Sequence, residues 1–332
     1  MTILPTLDHE PDLLAAARAG DHAAFTALLV PHRRALHLYC YRMLGSLDDA
    51  DDALQEAQLL AWRGLDTFAG RAPLRHWLYR ITTTTCLKII RTRGRVPLPA
   101  GDLVYLQPYP DRMLDQLTAA DTDPAAEVER RDSVALAFIV ALQRLPATQR
   151  AVLLLRDVLA YSPAETAQLL DTSVAAANSL LQRARATLQA DHGTSAAGRR
   201  DRALDATDRQ VVTRFVDAWR RRDISALAAL LAEDAILRMP PQRAEFIGRT
   251  VIADFFATVP ANGRLELIDL VVIRANGQPA LAAYLPDEWG DCRGYGIMVL
   301  DIVDGAILTI TGFPDPTLFA ALGLPTTTPE SA

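Results

Sequence analysis

The chain has 332 residues, 50% of them hydrophobic, and a formal net charge of -6, so it can bury more than one core and we expect two or three domains. It contains no run of about 18 apolar residues, and its N-terminus lacks a basic region followed by an apolar core, which predicts a cytoplasmic protein with no membrane segment. The cysteines Cys40, Cys86 and Cys292 form no C-x-x-C pair, which argues against a disulfide framework or a metal site.

Positive charge is concentrated between Trp62 and Arg95, although the chain as a whole is acidic. This stretch has eight basic side chains against one acidic side chain, a net +7, whereas the chain from Asp205 onward has 11 Arg against 17 Asp and Glu, a net -6. A basic patch with aromatic residues between the arginines is typical of a surface that binds nucleic acid.

Two structurally weak stretches divide the chain into three blocks. The first stretch, about 92–132, contains five prolines, and the second, about 191–205, is rich in Gly, Ala, Ser and Arg. Such stretches mark loops and linkers. In the first two blocks the apolar residues recur with the period of a helix. In the third block, apolar and polar residues alternate as they do in strands.

In the first block, Ser46 followed by Asp49 predicts the capped start of a helix. One face of this helix is acidic, since it carries Asp48, Asp52 and Glu56 at intervals of four residues. The opposite face is apolar. Taken alone, such a stripe is more often a solvated acidic face than a binding surface. The face expected to be buried has three-four spacing and consists of Leu47, Ala50, Leu54, Ala57 and Ala61.

Pro73 predicts the first turn of the next helix, with Leu74, Trp77, Leu78 and Ile81 facing inward. Arginines, hydroxyls and an aromatic ring on one surface can hold phosphates and stack on an unpaired base. The side chains expected to face outward with these properties are Arg75, His76, Tyr79, Arg80, Thr83 and Thr84.

The second block has the spacing of a helix-turn-helix. Ser162, Pro163 and Glu165 predict a capped short helix through Leu170, and a turn at 171–173 leads to a second helix. Its buried side is expected to contain Val174, Ala177, Leu181, Ala184 and Leu188. A helix that enters a major groove needs hydrogen-bonding or cationic side chains on its outer face, and here these are Asn178, Ser179, Gln182, Arg183 and Arg185.

The third block predicts an α+β fold with a curved antiparallel sheet. Helices are expected at about 208–222, 225–231 and 250–258, and strands at 234–241, 264–275, 279–285, 294–303 and 306–313. Several apolar residues could line a pocket or simply form the core: Trp219, Met239, Phe246, Phe255 and Tyr284. The block contains no histidine, so the candidates for a general base are Asp217, Asp234 and Asp254.

Three segments in this order resemble the conserved regions of an extracytoplasmic-function (ECF) sigma factor of the sigma-70 family: DDADDALQEAQLLAWRGL, FAGRAPLRHWLYRITTTTCL and LQRLPATQRAVLLLRDVLAYSPAETAQLLDTSVAAANSLLQRARATL. The third block resembles the SnoaL-like cone that some members carry at the C-terminus. The segments YLQPYPDRMLD and GFPDPTLFAALGLP resemble the fused, SigG-like subgroup.

The resemblance implies two all-α sigma domains, a helical bundle and a helix-turn-helix, followed by an α+β SnoaL-like cone. The expected boundaries are region 2 at 10–93, a linker at 94–132, region 4 at 133–190, a linker at 191–205 and the SnoaL-like domain at 206–324. Asp171 stands where the family usually has a glycine in the helix-turn-helix turn, and Asp can adopt the left-handed conformation.

The resemblance also implies a function, namely promoter-specific transcription initiation by RNA polymerase, with no catalysis and no cofactor. The partners would be promoter DNA and the β and β′ subunits of the polymerase core. Region 2 would bind the −10 element through Arg71, Arg75, His76, Tyr79, Arg80, Thr83, Thr84 and Arg91. The helix from Val174 would read the −35 element, and Asp48, Asp52, Gln55 and Glu56 would dock on the clamp helices of β′.

The role of the third block has alternatives. It could be a SnoaL-like enzyme or a ligand-sensing domain fused to a DNA-binding regulator, and an ordinary repressor would use only the helix-turn-helix. We expect instead that it regulates in cis, by packing against the sigma regions or the linker. The segments 105–114 and 313–324 have unusual apolar content and are the expected contact.

Overall fold

The computed structural model describes residues 10–93, 106–118, 134–191, 206–242 and 244–328. The chain divides into two compact units, Met1–Pro99 with Ala141–Ser195 and Ala100–Val140 with Ala196–Ala332. The structure describes residues 106–118 of the first expected linker and Asp191 of the second. Tyr105, the first residue of the expected contact segment 105–114, lies outside the described residues. None of the described helices is long and apolar enough to cross a bilayer.

The first unit is helical. Its N-terminal bundle contains α1 (Glu10–Arg18), α2 (His22–Leu44), α3 (Leu47–Gly64) and α4 (Leu74–Arg93). Asp21 caps α2 by accepting hydrogen bonds from two backbone amides, and the Ser46 side chain caps α3 at Asp49 as predicted. The predicted inner face of α3, from Leu47 to Ala61, is buried.

The second helical part begins with α6 (Leu136–Arg144) and α7 (Ala147–Leu153), which a π-helical turn, Leu154–Val158, follows. The helix-turn-helix consists of α8 (Pro163–Leu169) and α9 (Val174–Asp191). Ser162 and Glu165 form the predicted capping box, and Asp171 is left-handed with a φ of 50°. One prediction was wrong: Val174 is 42% exposed, because it stands at the first position of α9, before the helix meets its neighbours.

The second unit contains the linker helix α5 (Asp111–Thr118) and an α+β domain. The helices of that domain are α10 (Ala206–Arg220), α11 (Ile224–Ala229), α12 (Arg249–Thr258) and α13 (Leu318–Leu322). Its strands are β1 (Leu231–Arg238), β2 (Glu245–Ile247), β3 (Asp269–Ala275), β4 (Gln278–Pro286), β5 (Cys292–Val303) and β6 (Ala306–Phe313).

The sheet has the order β2-β1-β6-β5-β4-β3. It is mixed, not antiparallel throughout as predicted, because β1 pairs in parallel with β6. Strand β2 was not predicted, since it is only three residues long. Helices α10 and α12 bury Phe215, Trp219 and Phe256 in one core with strand residues such as Leu281 and Ile310.

Candidate functional site

The acidic stripe of α3 lies at the surface. Asp48, Asp52 and Gln55 are exposed and Glu56 is half-buried. The last three line a shallow groove of about 350 Å³ together with Asp49, Leu59, Ile89 and Arg93. Arg93, at the end of α4, forms an ion pair with Asp49, and Leu59 is 45% exposed beside the carboxylates. The groove thus offers negative charge and an apolar contact to a basic partner.

The predicted nucleic-acid surface, on α4 and the loop before it, is only partly exposed. Arg71, Arg75, Arg80, Thr84 and Arg91 are exposed, and His76 is half-buried. Two residues were expected to face outward, and this was wrong: Tyr79 is 2% exposed and Thr83 is 1% exposed.

These two side chains are buried because α4 packs on more than one side, against α2 and α3 and also against α7 and α8. The Thr83 hydroxyl lies 2.9 Å from the Tyr39 hydroxyl. The Tyr79 ring meets the rings of Tyr39 and Tyr161 edge-on, with centroids 5.2 and 5.8 Å away. Burial raises the pKa of Tyr79 well above its usual range.

Tyr161, which directly precedes the cap of α8, covers one end of this surface. Arg75 Nε donates a hydrogen bond to Tyr161 Oη at 3.3 Å, and the guanidinium carbon is 5.2 Å from the centre of the Tyr161 ring. The His76 ring lies 4.8 Å from the same ring, and its Nε2 is 3.6 Å from Glu165 Oε1. Burial raises the pKa of Tyr161, an effect that the hydrogen bond from Arg75 opposes.

A buried arginine that sequence reasoning missed joins the two helical parts of the first unit. Arg150, on α7, donates to the carbonyl of Met43 near the end of α2 and to the carbonyls of Gln143 and Leu145, at 3.0 and 3.2 Å. Gln143 Nε2 in turn donates to the carbonyl of Arg42 at 3.3 Å. Burial lowers the pKa of Arg150 to about 10.

The outer face of α9 is polar and accessible as predicted. Asn178, Gln182, Arg183 and Arg185 are exposed and Ser179 is half-buried. Arg185 is held within the chain, because its Nε and Nη2 donate to the Asp157 carboxylate at 3.0 and 2.6 Å. Asp157 also raises the pKa of Arg185. Arg183 makes one hydrogen bond within the chain, from its Nη1 to Ser179 Oγ at 3.1 Å. Arg183, with no ion pair to a carboxylate among the described residues, and Gln182 are therefore better candidates than Arg185 for contact with a base.

In the second unit, one side chain bonds both the linker and the start of region 4. Asn276 is fully buried and occupies the left-handed turn between β3 and β4, with a φ of 58°. Its Oδ1 accepts from the backbone N–H of Tyr109, and its Nδ2 donates to the carbonyl of Val134, each at 2.8 Å. Two residues later, Gln278 Oε1 accepts from the backbone N–H of Leu136 at 2.8 Å.

Charged side chains of α5 add to this attachment. Asp111 accepts from the backbone N–H of Gly277 at 2.7 Å and lies 3.1 Å from Arg274. Arg112 Nη2 donates to the carbonyl of Ala321 at 2.7 Å, so the two segments expected to meet, 105–114 and 313–324, do so at this point. The adjacent Asn276 and Gly277 are a local signal for the turn but not for its partners. We call the two hydrogen bonds of Asn276, to Tyr109 and Val134, the Asn276 clasp.

The α+β domain contains an apolar pocket. Three of the five predicted residues line it, namely Trp219, Met239 and Phe255. The other two do not: Phe246 packs on Phe255 from outside, with centroids 4.7 Å apart, and Tyr284 packs on Phe319. The candidate bases Asp217, Asp234 and Asp254 are all exposed and do not line the pocket.

Family models match three parts of the chain: Sigma-70 region 2 at residues 28–96, Sigma-70, region 4 at 135–188, and the SnoaL-like domain at 212–307. The ECF RNA polymerase sigma factor SigG of Mycobacterium tuberculosis is 40% identical over 331 residues, which cover 94% of this chain and 86% of that protein. SigM of the same species is 37% identical over 179 residues, which cover 54% of this chain and 82% of that protein.

Among solved structures, the crystal structure of the M. tuberculosis ECF sigma factor SigJ has the same fold, with a TM-score of 0.60 and 24% identity over 89% of this chain and 97% of that chain. The three matched parts occur in one order, and the similarity to SigG extends along nearly the whole sequence. The chain therefore belongs to the ECF RNA polymerase sigma factors, with sigma regions 2 and 4 followed by a C-terminal SnoaL-like domain.

Proposed function

We propose that the SnoaL-like domain regulates promoter-specific initiation in cis, by holding the linker that joins region 2 to region 4. The observation that carries this proposal is the Asn276 clasp. One buried amide bonds Tyr109 on the region 2 side and Val134 on the region 4 side. The domain thereby fixes both ends of the intervening chain.

The stability of the clasp rests on the free-energy cost of leaving buried polar groups without hydrogen-bond partners. Removing one partner of a buried hydrogen bond costs about 1–3 kcal/mol, and the clasp includes both amide bonds of Asn276. A chain held at Tyr109 in the linker and at Val134 in region 4 also restricts the positions that the attached regions can reach. The domain can in this way set how easily both sigma regions engage polymerase and promoter together.

Replacing Asn276 with glycine tests the clasp, because glycine accepts the left-handed turn but lacks the amide. We expect trypsin to cleave the linker faster at Arg112, and run-off transcription with core polymerase to change severalfold. The matched control is Asp304→Gly, in the left-handed turn between β5 and β6, where φ is 51°. This control should leave cleavage and transcription unchanged. Faster cleavage with unchanged transcription would reject regulation through the linker.

The surfaces of the first unit support three contacts in promoter-specific initiation: with β′, with the −35 element and with the −10 element. The stripe Asp48, Asp52, Gln55 and Glu56 would bind β′, and Asn178, Ser179, Gln182, Arg183 and Arg185 would face the −35 element. The exposed residues of α4 would bind the −10 element, with Tyr79 behind them until region 4 moves away. Thr83 would stay behind them, because its hydroxyl lies against Tyr39 of α2.

Replacing Gln182 or Arg183 with alanine should weaken binding to the promoter duplex by about 1–3 kcal/mol for each lost base contact. Fluorescence anisotropy with promoter and random duplexes measures this, and Gln210→Ala, an exposed glutamine of α10, is the control for a lost amide. An equal loss on both duplexes would mean that the residue contacts phosphate and reads no base.

The proposed role is regulatory and not catalytic. General acid-base catalysis needs a titratable side chain within hydrogen-bond reach of the substrate. The residues that line the pocket include no histidine and no carboxylate, and their one titratable side chain is Tyr295. Asp217, Asp234 and Asp254 are exposed elsewhere. This arrangement supports binding without turnover.

A further inference from the structure

Four arginines lie at the C-terminal end of α10, in a domain whose total charge is negative. Arg220, Arg221 and Arg222 follow one another in sequence, and Arg214 lies about two turns before Arg221 on the same side of the helix. All four side chains are exposed. From Arg214 to Arg222 they outweigh the one carboxylate of Asp217, so that the local net charge is +3. We call these four arginines the α10 basic end.

The α10 basic end is not used by the fold itself. Its guanidinium groups have no hydrogen bond or ion pair to any part of the chain that the structure describes. Most other arginines of the domain are engaged: Arg238, Arg274 and Arg293 each form an ion pair with a carboxylate, and Arg249 donates to a backbone carbonyl. One cation in the last turn complements the dipole of a helix, so helix stability does not account for four.

The backbone at Arg222 shows that a side chain is kept there at a conformational cost. The turn after α10 is closed by the backbone N–H groups of Arg222 and Asp223, which bond to carbonyls of the last helical turn at 2.9 and 2.8 Å. Arg222 occupies the left-handed position of this turn, with a φ of 53°, where glycine is the usual residue. Gly45 and Gly323 hold the left-handed position after α2 and α13. Arginine is thus unfavourable for the turn, and a contact made by its side chain would account for it.

The partner whose chemistry fits this surface is the phosphate backbone of duplex DNA. Guanidinium groups bind phosphates bidentately, and such contacts do not depend on base sequence. Only residues 192–205 separate α10 from α9, and a chain of that length spans at most about 50 Å, the length of about 15 base pairs. Carboxylates farther away in the domain are screened beyond about 8 Å at physiological salt, so the local positive charge governs the contact.

We propose that the α10 basic end binds DNA phosphates that flank the −35 element. The SnoaL-like domain would then add a sequence-independent DNA contact to the base contacts of α9. This inference rests on the proposed function, because α9 must bring the domain to the promoter. It is compatible with the Asn276 clasp, since the clasp uses the turn between β3 and β4 and leaves α10 accessible.

Two promoter duplexes of different length test the contact by fluorescence anisotropy. One carries the −35 element with about 15 base pairs on each side, and the other ends about 3 base pairs from the element. Replacing both Arg220 and Arg221 with glutamine in the full-length protein should raise the Kd for the long duplex about tenfold. The slope of log K against log salt concentration should become shallower by about 2, because two phosphate contacts are lost. The short duplex should bind both proteins equally, since it lacks the flanking phosphates.

The matched control replaces Arg238 and Arg293 with glutamine. This removes the same charge from the same domain, at arginines that already form ion pairs. It should leave the Kd and the salt dependence on the long duplex unchanged. An equal loss of affinity in the control would mean that the total charge of the domain sets the affinity, and the proposal would fail.

Replacing Arg222 with glycine separates a DNA contact from a structural role. Glycine suits the left-handed turn, so the Tm should stay the same or rise. The Kd for the long duplex should nevertheless rise severalfold, because one guanidinium group is lost. Unchanged affinity in this variant and in the double glutamine variant would overturn the proposal.

Gln182→Ala distinguishes failure of this inference from failure of the proposed function. If Gln182→Ala weakens binding to both duplexes while the arginine variants bind the long duplex normally, α9 contacts the promoter and the α10 basic end does not. If Gln182→Ala, Arg183→Ala and the arginine variants all bind both duplexes normally, the DNA-binding assignment of α9 fails as well.

Discussion

Replacing Asp52 and Glu56 with arginine should abolish co-purification of the protein with core RNA polymerase. Both carboxylates line the α3 groove beside the exposed Leu59, where a basic, partly apolar surface of β′ would dock. Reversal of two charges replaces attraction by repulsion at a contact, which costs several kcal/mol in an interface. Affinity purification through tagged polymerase, followed by immunoblotting, measures the loss.

The matched control reverses two acidic residues elsewhere in the first unit, Asp12 on α1 and Asp66 after α3. Both are exposed, and the double reversal changes the net charge of the protein by the same amount. It should leave co-purification intact. If the Asp52 and Glu56 variant is folded by circular dichroism and still co-purifies at the normal level, the stripe is only a solvated helix face.

Replacing Tyr161 with alanine should increase the affinity of the free protein for single-stranded DNA by about tenfold. Tyr161 is 3% exposed and contacts Arg75, His76 and Tyr79. Loss of a buried aromatic side chain costs about 3–5 kcal/mol, here at the contact between region 4 and α4. Arg75 would then be released from its hydrogen bond to Tyr161 and able to contact phosphates. Tyr79 would lose one of its ring neighbours and be more open to an unpaired base, whose stacking is tolerant of sequence.

Fluorescence anisotropy with a short single strand of mixed sequence, in the absence of polymerase, gives the measurement. Tyr161→Phe is the control, because it keeps the ring and loses only the hydrogen bond from Arg75. It should change the affinity far less. If Tyr161→Ala retains its helical content and binds no more tightly than the unaltered protein, then Tyr161 does not mask a DNA-binding surface.

The elements that sequence predicted best were those specified by neighbouring residues. The capping box of Ser162 and Glu165 defines the start of α8 by local hydrogen bonds, and the alternating run from Ala306 to Phe313 is β6 with the predicted bounds. The buried face of α3 followed from three-four spacing alone. In each case the physical cause lies within one turn or one strand.

The errors came from contacts between distant parts of the chain. Spacing assigned one inner face to α4, but that helix has neighbours on more than one side, so Tyr79 and Thr83 are buried as well. Parallel pairing of β1 with β6 depends on long-range packing that alternation does not encode. The hydrogen bonds of Asn276 are of the same kind, because its partners Tyr109 and Val134 are 167 and 142 residues away in sequence.

The hydrogen bond from the backbone N–H of Leu136 to Gln278 means that region 4 and the SnoaL-like domain are not independent modules. Leu136 is the first residue of α6, within the matched region 4, and the residue before it, Ala135, has no side-chain acceptor for the backbone N–H groups of the first turn. The SnoaL-like domain supplies that acceptor. A protein truncated after region 4 would thus lose a helix cap together with a domain, and reduced activity would not distinguish the two losses. Faster amide hydrogen exchange at Leu136 in the truncated protein would reveal the uncapped helix.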